Sequence, residues 1–467
     1  MSVREQSSRG WLRRRAVAMR RHPVGAAAGV LCIAVVVIAC GSASHHDVAS
    51  AAVIDRGPAA VLPKPLSCLT SSSSAVAPKP SGLIALQGSS TITPSSSVVP
   101  AAVLRDGLIS GVQIYLEWSA LEPQRGQFST PVFHALDQVF CEAQSHHDFV
   151  VLDVLPGFDS PAWALGVTVP APCKKPGYQT GSSFAFCFAY SYAGKLPPRA
   201  LAVPWNATYL SNWFAFLMVI AARYGSNPAF SMVAAAGPTS VSEEMSLPPC
   251  PCVDQETDPG LPATYPPNGG KAIDGSDLNM WTALGYTPSI YETAWQTVFA
   301  TYARLFPRQY ISFSLFTGLP LPDVSAESTT LESVFDVGKQ TVGPSRFAFQ
   351  GDGVVPNEST NPATHYNYVK AQDGTIAATG FQTPNPGSLD PGFPTPEVAL
   401  EGALDSGVAA RVNYLEIYDT DLIDPSTQKI IPAMQAVLKA VRSHWPITVP
   451  PTVPPKAPPK PCGTKCQ

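Results

Sequence analysis

Charge is scarce in this sequence. Only 14% of its 467 residues are Asp, Glu, Lys or Arg, and the net charge of −4 leaves no basic surplus. A basic face for nucleic acid or for an anionic membrane surface is therefore excluded. Also missing is a CxxC pair with partner histidines, which removes the usual ground for a zinc site, and no cofactor or metal is expected. No apolar run reaches the ~20 residues that a membrane span prefers. No internal repeat stands out beyond an alternation of strand-like and helix-like stretches.

What the chain does contain begins with an address. Arginines at 4, 9, 13, 14, 15, 20 and 21 precede an apolar run over 25–39, the pattern of an export signal. Val37, Ile38, Ala39 and Cys40 resemble a bacterial lipobox, with Cys40 as the lipid attachment site; the alternative is an uncleaved signal anchor in which Cys40 is incidental. In both cases the body lies outside the cytoplasmic membrane, in the cell envelope. Without Cys32 and Cys40 there remain eight cysteines, an even number that points to disulfides in an oxidising compartment. Cys173 with Cys187 would close a Pro- and Gly-containing insert. Cys462 pairs either with Cys466 or back to Cys68; the sequence does not choose.

Domain organisation follows composition. Residues 1–40 form the signal, 41–81 are rich in Ala, Ser and Pro and lack the apolar content to order themselves, and 446–467 are a Pro-rich tail that favours extended structure. The folded body is 82–445. Within it short apolar runs at 82–88, 109–118, 149–155, 230–236, 310–316, 347–354, 375–382 and 412–418 have the character of strands. Helical patterns lie at 132–144, 209–224, 289–306, 396–407 and 432–443, with a weaker one at 96–106. Strands alternating with helices predict parallel pairing through right-handed crossovers, and eight of them predict an α/β fold, a (β/α)8 TIM barrel with long inserts at its mouth. One insert, 170–204, carries Tyr178, Phe184, Phe186, Tyr190 and Tyr192, which either stack on sugar rings or pack the insert on itself.

The second strand runs through Trp118 into LEPQRGQF (121–128), and the third leads into PGFDSPAW (156–163). This order resembles the front half of the clan A glycoside hydrolases, the β-galactosidase-like and cellulase-like barrels. The resemblance implies hydrolysis of O-glycosidic bonds in an oligo- or polysaccharide. It also implies an acid/base glutamate after strand four and a nucleophile at the end of strand seven.

After strand four the chain turns through Gly237 and Pro238 to Glu243 and Glu244, the candidates for acid/base, with Glu244 preferred because Met245 and Leu247 can anchor it. No Asn precedes the pair, a departure from the family pattern. At the end of strand seven stands Gln382, an amide that cannot act as nucleophile or base. Glu416 in strand eight is the substitute second carboxylate, since a carboxylate in an aromatic and aliphatic strand is costly without a role or a partner. Trp118, Trp163 and Tyr418 are candidate stacking residues, and Asp159, Gln350, Asp352 and Gln382 candidate hydrogen-bond partners of sugar hydroxyls. Glu122, ahead of a proline, reads as a bracket for its loop, and His146, His147 and Asp148 fall at the end of the barrel away from the mouth. The rival to catalysis is a carbohydrate-binding barrel without turnover, and a third reading is an envelope scaffold for a protein partner.

Overall fold

The structure is a computed structural model. It describes residues 62–70, 77–87, 103–104, 107–167, 173, 180–188, 198–240, 244–245, 247–248, 280–281, 283–315, 324–356, 365–384 and 393–443. Cys40, Glu243, the N-terminal signal and the tail lie outside them, as do Cys250, Cys252, Cys462 and Cys466.

Eight parallel strands close into a barrel: β1 (Gly82–Leu86), β2 (Gly111–Glu117), β3 (Phe149–Leu155), β6 (Phe230–Ala234), β7 (Tyr310–Leu315), β8 (Phe347–Asp352), β9 (Ala378–Gln382) and β10 (Tyr414–Tyr418). The expected (β/α)8 barrel is thus the fold, and each strand falls where its apolar run stands. Between β3 and β6 the insert forms an antiparallel pair, β4 (Ala185–Phe188) with β5 (Arg199–Ala202), where the sequence suggested only a loop. Around the barrel run α2 (Thr130–His146), α3 (Ala207–Tyr224), α4 (Pro288–Leu305), α5 (Val324–Val342), α6 (His365–Ala371), α7 (Pro396–Ala410) and α9 (Ile431–Ser443). Short helices α1 (Trp118–Leu121) and α8 (Asp419–Ile423) follow β2 and β10.

Local chemistry sets the helix starts. The side chains of Asn206, Thr287 and Thr395 accept from the backbone N–H groups of Tyr209, Ile290 and Val398, so three helices begin at side-chain N-caps. Pro288 and Pro396 sit in the first turn, where a missing N–H costs nothing.

The strands are buried on both faces, as a parallel sheet covered by helices requires. Inside the barrel, Ile84, Phe149, Val151, Met232, Ala348, Ala378 and Tyr414 form an apolar floor separate from the outer core. Two glycines make room for its rings. A Cβ on Gly111 would collide with Phe149 and one on Gly380 with Tyr414.

The segment ahead of β1 packs on the closed end of the barrel. Cys68 is bonded to Cys141 of α2, with Cα atoms 5.7 Å apart, and does not pair with the tail cysteines considered above. Sequence spacing cannot reveal that this segment lies along α2. Asp137 of α2 accepts from Arg223 Nε at 2.8 Å and Nη2 at 2.6 Å, from Tyr224 Oη at 2.8 Å and from the Leu66 N–H at 3.1 Å. Arg223 also donates to the Pro63 carbonyl at 2.6 Å. Nearer β1, Ser231 Oγ donates to the Pro78 carbonyl at 2.6 Å. Residues 62–70 and 77–81, assigned by composition to the tether, are therefore fixed to the barrel.

At the same end, Asp148 follows the left-handed His147 that caps α2, and burial pushes its carboxyl up to about 6. A folded-state value raised above the unfolded one means that stability present at low pH is lost as pH rises from about 4 to about 6. Asp148→Asn should accordingly stabilise the protein at pH 7.5 by on the order of 1 kcal/mol, allowing for solvent screening of a half-buried group. Urea unfolding should show no gain at pH 4.

Candidate active site

Alternation along the strands carries the inward row upward from the apolar floor. Above Val151 comes Asp153; above Tyr310, Ser312 and Ser314; above Ala348, Gln350 and Asp352; above Ala378, Gly380 and Gln382; above Tyr414, Glu416 and Tyr418. Strand β2 contributes Gln113, Tyr115 and Glu117. The mouth end of the lumen is thus polar on an apolar base.

Strand four holds the least expected feature. Its regular pairing with β7 runs Met232 to Tyr310, Val233 to Ile311 and Ala234 to Ser312, and the chain then leaves the sheet. It returns at Glu244, which bridges in parallel to Ser314, two residues further along β7. The Ala235 N–H donates to the Ser312 carbonyl at 2.9 Å and the Met245 N–H to the Ser314 carbonyl at 3.2 Å, so the ladder resumes in the same phase. Glu244 therefore occupies the register position after Ala234 on the inward row. Met245, next along, is fully buried in the outer core with Val233 and Ala235. Since neighbouring residues of a strand face opposite sides, burial of Met245 outward turns Glu244 toward the lumen, where it is half-buried. Leu247 is also buried.

Glu416 sits deeper. It is fully buried, and Gln350 Nε2 donates to its Oε2 at 2.8 Å. Gln113, with its amide nitrogen facing the carboxylate, donates to Oε2 at 3.0 Å and to Oε1. Gln350 is itself fixed, because its carbonyl accepts from Tyr414 Oη at 2.9 Å. The same Gln350 nitrogen lies 2.9 Å from Asp352 Oδ1, and Asp352 Oδ2 accepts from Ser314 Oγ. Gln382 Oε1 accepts from Tyr115 Oη at 2.8 Å. Gln350 Nε2 also lies 3.5 Å from Gln382 Oε1, so one network spans Glu416, Gln350, Asp352, Ser314 and Gln382. Its upper end, half-buried Asp352, reaches the mouth, whereas Glu416 is covered by amides.

The other candidates are placed as follows. Trp118 is fully buried, its ring 5.1 Å from Trp213, 5.6 Å from Phe216 and 5.5 Å from Trp163, so it offers no free face to a sugar. Trp163 is only partly buried; its Nε1 donates to the Glu122 carbonyl at 3.1 Å and the Arg125 guanidinium lies 5.9 Å from its ring. Glu122 accepts from the Gly126 N–H at 2.8 Å and Trp118 Nε1 at 3.1 Å, bracketing the loop, while burial pushes its carboxyl above the usual range. Asp159 is buried and ion-paired with Arg199 of β5 at 3.3 Å. Arg199 also donates to the Phe158 carbonyl at 2.7 Å, which pins the β4–β5 pair onto the loop after β3. Beneath that loop, Tyr209 accepts from the Gly157 N–H at 2.9 Å, and burial pushes its hydroxyl up to about 12. Tyr418, half-buried, ends β10. The insert is closed by the expected bond between Cys173 and Cys187. Among the described residues no group of His, Cys, Asp and Glu is arranged to hold a metal, and no helix is long and apolar enough to cross a membrane.

Sequence reasoning did not select Gln113, Tyr115 or Ser314. The signal was present in β2, where Gln113, Tyr115 and Glu117 recur at every second residue of an otherwise aliphatic strand.

Neither a protein-family model nor a curated protein matches the chain. Among solved structures, xylanase 10B from Thermotoga maritima matches at 8% identity over 78% of this chain and 95% of its own, with a TM-score of 0.38. The catalytic core of xylanase A matches at 14% identity over 78% and 98%, with a TM-score of 0.39. Morphinone reductase matches at 13% identity over 84% and 98%, also with a TM-score of 0.39. The likeness is one of barrel fold. A xylanase and a reductase stand at the same score, below 0.5, so these matches carry no argument about the reaction.

Proposed function

We propose that this chain is an exported glycoside hydrolase that cleaves O-glycosidic bonds of an oligo- or polysaccharide, with Glu244 as its general acid. The observation that carries the reading is the return of strand four at Glu244, which sets a half-buried carboxylate on the inward row at the barrel mouth. In the reaction, Glu244 gives its proton to the glycosidic oxygen as the bond to the anomeric carbon breaks. A facing carboxylate takes a proton from the water whose oxygen bonds to that carbon, and exchange with solvent resets both groups. Export is supported by the basic and apolar N-terminal pattern and by two disulfides, which belong to oxidising compartments. Attachment to the outer face of the membrane through Cys40 belongs to the same reading.

A second reading, a carbohydrate-binding barrel without turnover, is favoured by the amide at Gln382, where clan A glycosidases carry their nucleophile. The two separate cleanly. Incubation of the purified chain with aryl glycosides and with plant and bacterial polysaccharides should release reducing sugar from at least one. Retention on a polysaccharide column without any release from that polymer would instead select the binding barrel.

A further inference from the structure

Resting on the glycosidase reading, the geometry points to Asp352 as the carboxylate that works with Glu244, and to Glu416 as a positioning residue that acts through Gln350. Three observations carry this assignment. The first is access. Glu416 is fully buried under the Gln113 and Gln350 amides, whereas Asp352 ends β8 half-buried at the mouth. A group that accepts a proton from water or meets an anomeric carbon has to reach the substrate.

The second is level. Asp352 and Glu416 are the cross-strand partners of Gln382 on its two sides, so both carboxyls share the level of the amide, and of the two only Asp352 is open to the mouth. Both side chains lie on the inward row. Glu244 lies on the other side of Ser314, whose backbone bridges to Glu244 and whose hydroxyl donates to Asp352. The cross-strand row runs from Glu244 through Ser314 to Gln350, and Asp352 stands two residues further toward the mouth on β8, tied to that row by the Ser314 hydroxyl.

The third is the hold on Asp352. Gln350 can turn its amide only one way, because Tyr414 Oη donates to its carbonyl and two carboxylates share its nitrogen, Glu416 at 2.8 Å and Asp352 at 2.9 Å. The buried carboxyl of Glu416 fixes where the Gln350 N–H groups point, and one of them fixes Asp352. Pre-organisation of a reacting group by a locked neighbour is worth rate rather than binding.

The test compares Asp352→Ala and Glu416→Gln in the full chain on an aryl glycoside that the wild type hydrolyses, with and without sodium azide. Asp352→Ala should lose at least about a thousand-fold in kcat, and azide, a small nucleophile that fits the vacated space, should restore turnover with a glycosyl azide as product. Glu416→Gln keeps the shape of the side chain and should lower kcat about ten- to a hundred-fold with little change in KM and no response to azide. Thermal unfolding of both variants identifies any that fail to fold; in that event Asp352→Ser, which also leaves room for azide, and Glu416→Met replace them under the same criteria. Azide rescue of a Glu416→Ala variant, or a kcat for Asp352→Ala within about ten-fold of wild type, overturns the assignment. A wild-type chain that hydrolyses no glycoside defeats the glycosidase reading itself, a result distinct from either of these.

Discussion

Glu244→Gln is expected to lower kcat/KM on an unactivated glycoside by about a hundred- to ten-thousand-fold, the usual contribution of a general acid. The amide keeps the size and the hydrogen-bonding reach of the carboxyl but has no proton to give. The loss should depend on the leaving group. A nitrophenolate departs with little help, so the defect on a nitrophenyl glycoside should be much smaller than on an alkyl glycoside or a polysaccharide. A defect of equal size on all three would mean that Glu244 binds sugar without delivering a proton. Backbone pairing at Glu244 and burial of Met245 do not involve the carboxyl, so the variant should fold as the parent does.

Asp137→Ala should destabilise the chain by about 3–5 kcal/mol, because it leaves the Arg223 guanidinium buried without its counter-charge. Arg223 is 4% exposed and Asp137 is fully buried. The same substitution also takes the acceptor away from the Tyr224 hydroxyl and the Leu66 N–H, two more donors held in a closed core. Urea or thermal unfolding would read the loss directly. Adding Arg223→Met should recover a large part of it, since removing both charges of a buried pair costs far less than removing one. If the double variant is no better than the single one, the stabilising element is the hold on residues 62–70 and not the ion pair.

Much of the fold was legible because a parallel barrel writes itself into sequence as short apolar runs. FVVLDVL and YLEIY stand out from their surroundings and became β3 and β10 with their expected places in the order. Gln382 and Glu416 lie on neighbouring strands, the seventh and eighth of the barrel, as the order of the apolar runs implies. Helix α5 escaped notice, for VSAESTTLESVFDVGKQTV is polar along much of its length and its apolar face is narrow. The hairpin β4–β5 was hidden by the Pro and Gly around it. The site was harder. Strand four gives every local sign of ending near Gly237, and only cross-strand pairing shows that it resumes at Glu244. Periodicity along one strand likewise cannot report that Gln113, Gln350 and Glu416, from three different strands, meet in one network.

The disulfide at Cys68 and the ion pair of Asp137 with Arg223 also decide which way the molecule faces. Cys141 lies in the second half of α2 and Arg223 in the last turn of α3, toward the rim from which the barrel strands start. Residues 62–70 are therefore held at the pole opposite the mouth. Any surface that grips the protein by that side would see the sealed pole, and the opening would look outward like a cup set on its base.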